Sequence, residues 1–163
     1  MVEVGIVVGS KSDLPVIQKC ADTLAEMGVE SEVRVLSAHR TPELTAEWAR
    51  GLRDRGVKVV VAGAGMAAAL PGTIAAHTTL PVIGVPLASG HLNGVDSLLA
   101  IVQMPPGIPV ATVAVGEMGA RNAAHLAAQI IGVQDDAVAE AVRAKRAAMR
   151  ESMRLPEGFS PPT

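Results

Sequence analysis

The sequence predicts an α/β fold in which a five-stranded parallel sheet is covered by helices on both faces. Three observations lead there. Five short apolar runs recur along the 163 residues, with helically spaced segments between them. The runs are nearly continuous and rich in Val, as strands buried on both faces must be. Gly and Pro punctuate the junctions, where helices stop and start.

The elements follow in order. "VEVGIVVG" (2–9) reads as a buried strand, and residues 14–28 as a helix stopped by Gly28. "SEVRVLS" (31–37) is the second strand. A second helix starts with Thr41 as N-cap and Pro42 at its first position, buries Leu44, Trp48 and Leu52, and ends at Gly56. "VKVVVAG" (57–63), "LPVIGVPLA" (80–88) and "IPVATVAVG" (108–116) are strands three to five. Val95, Leu98, Leu99 and Val102 mark the helix between strands four and five. Ala123, Leu126, Ala127, Ile130 and Ile131 mark the next. Residues 135–152 form a charged amphipathic helix. The expected organisation is one domain over 1–153 and a flexible tail over 154–163. This is a flavodoxin-like three-layer α/β/α sandwich with an extra C-terminal helix.

Composition narrows the function. Apolar residues make 49% of the chain and charged residues 18%, which implies that other subunits cover part of the surface. A net charge of −2 provides no field to recruit nucleic acid. Trp48 and Phe159 are the aromatics, too few for a base-stacking platform or the walls of a flavin site. Cys20 is the single cysteine, so no internal disulfide forms, and its helical spacing makes it a small buried hydrophobe. Glu3 interrupts a very short apolar start, and Lys58, glycines and Pro71 interrupt the longest apolar region, Val57 to Ala76. Neither an export signal nor a membrane span is expected, and the default is a soluble cytoplasmic protein.

A parallel sheet binds ligands beyond the carboxyl ends of its strands. Five loops lie on that edge: "GSKSD" (9–13), "SAHRTP" (37–42), "GAGMAAALPG" (63–72), "PLASGHLNG" (86–94) and "GEMGARN" (116–122). In the first, Ser10, Ser12 and Asp13 fit a plain capped turn, with Asp13 as the cap, and equally an anion or ribose site. Its glycine and lysine spacing is not that of a P-loop. In the second, Arg40 offers a planar cation for a phosphate, and His39 can give and take a proton near neutral pH. The third offers close backbone approach to a flat heterocycle. His77 and His125 read as structural or interface residues, and His91 lies on the ligand edge. No histidines and carboxylates have metal spacing.

"GSKSD", "SAHRTP", "LPVIGVP", "GVDSLLAIVQMPPGIPVATVAVG" and "ARNAAHLAAQI" together resemble the class I N5-carboxyaminoimidazole ribonucleotide mutases of purine biosynthesis. The resemblance runs from about Val4 to Ile131. It implies an isomerase that moves a carboxylate from an exocyclic nitrogen to ring C4 of an aminoimidazole ribonucleotide. It implies no metal, nucleotide cofactor or biotin, and an octamer with sites between subunits. By motif, Ser10 and Asp13 would hold the ribose phosphate, with Ser12 nearby, and Ser37 and Arg40 would complete that grip. His39 matches the catalytic histidine. Gly63 and Ala64 would flank the imidazole and the carbon dioxide. Gln103, Met104 and Pro105 would shape a site wall or an intersubunit contact.

One loop departs from the family, which usually reads "AGGAAHLPG". Here Met66 stands for a glycine and Ala69 for a histidine. Either that histidine is auxiliary, or His91 substitutes for it, or the chain is a divergent, non-catalytic nucleotide-binding relative. The first is the working expectation. A direct aminoimidazole ribonucleotide carboxylase is the alternative enzyme, and its Ser-Asn-Gly third loop is absent. A phospho-acceptor receiver would need an aspartate after strand three, and "VVVAGAG" has none.

Overall fold

In the computed structural model of the chain, residues 1–154 are described. The apolar runs form one parallel sheet. Its strands are β1 (Val4–Val8), β2 (Ser31–Val35), β3 (Val59–Gly65), β4 (Val82–Leu87) and β5 (Ala111–Thr112), in the order β2-β1-β3-β4-β5. Val4 sits opposite Ser31 on one side and Val59 on the other. Helices α1 (Leu14–Ala25), α2 (Pro42–Arg50), α3 (Ala69–His77) and α4 (Val95–Val102) make the crossovers, and α5 (Glu117–Ile131) and α6 (Asp136–Ser152) follow. This is the flavodoxin-like sandwich expected from the sequence. Of the expected tail, residues 155–163 lie outside the described residues.

The strand period of two divides the core between the two faces. Val4, Ile6 and Val8 of β1 pack with Ile17, Cys20 and Leu24 of α1 and Ala123, Ala127 and Ile131 of α5. Val7 faces the other way, into a cluster with Trp48, Leu52, Leu70, Ile74 and Ile101. Burial pushes the Cys20 thiol up to about 12, so it is an inert core group. Gly5 makes the second face possible. A β-carbon there would stand 3.2 Å from Trp48 and 3.1 Å from Leu52. The indole N–H of Trp48 donates to Glu32 Oε1 at 3.0 Å, and Arg55 donates to the same oxygen at 3.0 Å. Burial raises the Glu32 pKa, but Trp48, Arg55 and Arg34 outweigh it and hold the group below its usual range.

Three expectations need correction, and α4, which forms where it is expected, shows which of its faces is buried. Strand five is short: only Ala111–Thr112 pairs, because it is an edge strand that enters after Pro109, which has no N–H to donate. Leu44 is exposed, and Thr45, Ala46, Trp48 and Ala49 form the buried face of α2. In α4, Val95, Leu99 and Val102 point outward, while Ser97 and Ile101 are buried. The Ser97 hydroxyl is held by the carbonyls of Leu87 and Gly94 at 3.0 and 2.9 Å, which turns its face inward. Finally, Thr41 occupies the N-cap position of α2 without capping it. Its hydroxyl instead accepts from the Ser37 N–H at 2.9 Å and donates to the Ser37 carbonyl at 3.2 Å.

Among the described residues no helix is long and apolar enough to cross a membrane.

Candidate active site

The chain leaves β1, runs outward to β2, and crosses back to β3 on the other side of β1. The order therefore reverses at β1 and β3, and a crevice opens beyond their carboxyl ends. A cavity of about 580 Å³ occupies this place. Ser10, Ser12, Asp13, Ser37, His39, Arg40 and Ala64 line it, together with Gly65, Met66, Ala69 and Ser89.

The first loop is built by its serines. Ser10 is extended and caps the short 3-10 turn Lys11–Asp13, accepting from the Ser12 N–H at 3.3 Å. The Ser12 hydroxyl donates to Ser10 Oγ at 2.8 Å. Ser10 thus performs the capping expected of Asp13, whose carboxyl makes no cap bond. Asp13 faces the cavity instead. Burial raises its pKa above the ordinary value, against the lowering effect of the Ser12 and Ser10 hydrogen bonds.

The second loop is tied at both ends. Thr41 closes it onto Ser37, as described above. Arg40 then reaches back across the crevice. Its Nη2 donates to the Gly9 carbonyl at 2.8 Å, and its Nε to Ser37 Oγ at 3.4 Å. The Arg40 backbone N–H donates to that same Oγ at 3.1 Å. Among the described residues Arg40 has no carboxylate partner, so its charge remains available to an anion. Next to the cavity lies a second hollow of about 460 Å³, sharing Gly9, Ser10, Ser37 and Arg40 and adding Lys11. His39 is exposed at the mouth, and among the described residues its ring makes no hydrogen bond.

The third loop supplies main chain and shape. Met66 and Ala68 hold left-handed conformations, with φ of 55° and 45°. Met66 is 62% exposed. Gly65 is required by its neighbour, because a β-carbon there would lie 2.5 Å from Ser89 Oγ.

Gly63 does not line the cavity. Its missing side chain points to Val8, Ile17 and Leu87 on the core side of the sheet. Gln103, Met104 and Pro105 do not line it either, and Met104 packs against Gly72 of α3. His91 is exposed and absent from the lining, so within one chain it does not stand in for the histidine missing at Ala69. Ser89 is the residue that sequence reasoning missed; it lies in the same edge loop as His91. No three His, Cys, Asp or Glu side chains gather to hold a metal ion among the described residues.

The sequence profile of the family described as AIR carboxylase matches residues 3–152. The chain belongs to the AIR carboxylase family. Members similar to it include the N5-carboxyaminoimidazole ribonucleotide mutase of Vibrio parahaemolyticus, 54% identical over 93% of this chain and 94% of that one. The enzyme of that name from Pyrococcus abyssi is 53% identical over 92% of this chain and 85% of its own. Among solved structures, Treponema denticola PurE superposes with a TM-score of 0.85 at 30% identity, covering 94% of each chain. The AIR carboxylase match thus takes in all of β1–β5 and the loops that line the crevice.

Proposed function

We propose that this chain is an N5-carboxyaminoimidazole ribonucleotide mutase of purine biosynthesis, an isomerase that shifts a carboxylate from nitrogen to carbon. Relatives about half identical over most of the chain carry that name. The observation that carries the reading is the convergence of His39, Arg40, Ser37, Ser10, Ser12, Asp13 and Ala64 on one crevice.

The chemistry follows from the groups present. Arg40, Ser37 and Ser10 hold the phosphate, with Ser12 beside them. The Asp13 carboxyl accepts hydrogen bonds from ribose hydroxyls. Ala64 and the main chain after it flank the imidazole. The substrate's carbamate breaks when its nitrogen gains a proton: the C–N bond opens, and carbon dioxide and the free amine result. His39 gives that proton. Ring C4, made electron-rich by the amine, then attacks the carbon dioxide, and the new C–C bond leaves C4 with an extra hydrogen. His39, now neutral, removes it and restores the aromatic ring. One imidazole donates and recovers one proton, so the cycle balances. The pocket keeps the carbon dioxide beside C4 between the two steps. Ala69 has no proton to contribute, and the scheme needs none from it.

Assembly belongs to the same proposal. Leu92, Val95, Leu99 and Val102 expose apolar side chains along α4 and the loop before it, and Asp96 Oδ1 is buried without a partner among the described residues. Both features suit a face covered by other copies, in a homo-octamer that works in the cytoplasm on a small ribonucleotide.

The test mixes pure protein with the N-carboxylated nucleotide and follows substrate loss against C4-carboxylated product. Parent protein converts it at a rate independent of added bicarbonate. His39→Asn binds the nucleotide and does not convert it. Turnover of His39→Asn at the parent rate would overturn the mechanism, and a bicarbonate-dependent parent would make the enzyme a direct carboxylase.

A further inference from the structure

A second cleft, of about 460 Å³, opens at the opposite edge of the sheet. Its residues come from the ends of helices and the starts of strands: Arg50 closes α2, Arg53 follows it, His77 closes α3, Thr78 and Thr79 lead to β4, and Ile108 precedes β5. In a parallel sheet these positions all fall at the amino ends of the strands, away from the candidate active site.

We propose that this cleft binds a small phosphate monoester. Two arginines and a histidine line it together. Arg50 Nη2 lies 3.5 Å from His77 Nδ1, and Arg53 Nη2 donates to Thr79 Oγ1 at 3.0 Å. Among the described residues neither arginine has a carboxylate within ion-pair distance, although Asp54 lines the same cleft. The threonines are set to donate. Thr79 Oγ1 accepts from Arg53 and Thr78 Oγ1 accepts from the Leu80 N–H at 3.2 Å, which leaves each hydroxyl proton free for an oxyanion. A helix C-terminus favours one nearby cation. That accounts for Arg50 on α2 and His77 on α3 singly, but not for their sharing one cleft with Arg53. Ala75, Ala76 and Ile108 give the cleft an apolar wall, suited to the carbon part of an ester, and its volume is that of a small-ligand site.

The experiment is equilibrium dialysis of radiolabelled orthophosphate against the full-length Arg40→Ala chain, which lacks the guanidinium of the candidate active site. The expected result is one phosphate retained per chain, displaced by adenosine 5′-monophosphate and not by chloride at matched ionic strength. Adding Arg50→Ser and Arg53→Ser weakens retention about tenfold or more, as loss of two charge-assisted partners requires. With Arg40 intact, the same pair of substitutions leaves turnover at saturating substrate unchanged. Arg50→Gln alone, at an exposed position, gives a partial loss and serves if the double variant misfolds. Retention that chloride abolishes equally, or that the arginine substitutions leave unchanged, overturns the site. Phosphate binding that the monoester does not displace overturns the ligand class. Absent retention, with a changed oligomer size in light scattering for the double variant, makes the cleft a subunit contact and also overturns the proposal.

Discussion

Gly65 and Ser89 touch so closely that a single methyl group on Gly65 would come within 2.5 Å of the Ser89 hydroxyl oxygen and 3.2 Å of the Leu87 carbonyl. Both residues line the crevice, at the ends of strands paired through Gly65 and Leu87. Gly65→Ala therefore pushes the end of β4 and its loop outward. The expected loss in kcat/KM is about 100-fold, the usual consequence of a misplacement near 1 Å. Stability falls by about 1–3 kcal/mol. Ser89→Gly in the same chain removes the worst contacts and recovers much of the stability in urea unfolding. No recovery would mean that the carbonyl contact dominates.

Met66 carries a strained backbone, with φ of 55° and a side chain 62% exposed. The left-handed conformation costs about 1–2 kcal/mol for a residue with a β-carbon. Glycine removes that cost and adds about 0.4–1 kcal/mol of chain entropy to the unfolded state. Met66→Gly should thus raise the unfolding free energy by about 0.5–1 kcal/mol. A shift of the urea midpoint at constant slope measures it.

Asp13 has a raised pKa in the fold because burial outweighs its hydrogen bonds. The native state then holds the proton more tightly than the unfolded chain does, so stability declines as pH rises through the raised value. The cost is present at neutral pH and absent below the ordinary value of 3.8. Asp13→Asn should be more stable than the parent at neutral pH and equal to it in acid. It should also bind the ribonucleotide more weakly, since an amide replaces the acceptor for the ribose hydroxyls. Denaturation at both pH values and a binding titration separate the two effects.

His125 behaves in the opposite sense. Burial lowers its pKa below 6.5, with Lys145 and Arg146 of α6 adding to the effect. The folded state binds fewer protons than the unfolded one, so the contribution is present above that value and lost as pH falls through the lowered one. His125→Gln should show a shallower loss of stability than the parent between about pH 7 and 5. Equal slopes would show that His125 keeps the same affinity for its proton in both states.

Strands and loops were legible in the sequence for different reasons. The Val-rich runs of β1, β3 and β4 could only be buried strands, and alternation with helices then forced the carboxyl ends to one edge. That brought His39, Arg40, Ser37, Ser10, Ser12 and Asp13 to a common edge, and the family resemblance joined them into one site. Parity along a strand was harder to read. Gly63 and Ala64 are adjacent, so only one of them faces the cavity, and two small residues give no amphipathic signal to choose by. Loop direction was also hidden. Left-handed residues at Gly90, Asn93 and Gly94 turn the fourth loop so that Ser89 lines the crevice and His91 does not. The buried face of α4 could not be read from its spacing, because apolar residues occupy both sides of it. Periodicity finds a stripe; the hydrogen bonds of Ser97 decide which stripe is inside.

Trp48 is the one strong ultraviolet chromophore of a chain that has no tyrosine. Its ring rests on Gly5, and its N–H is held by Glu32. Fluorescence from this protein therefore reports one joint, where α2 docks on β1 and β2. An emission change during unfolding times the release of that joint. The Arg40–Thr41 turn from which α2 begins links the crevice to that signal.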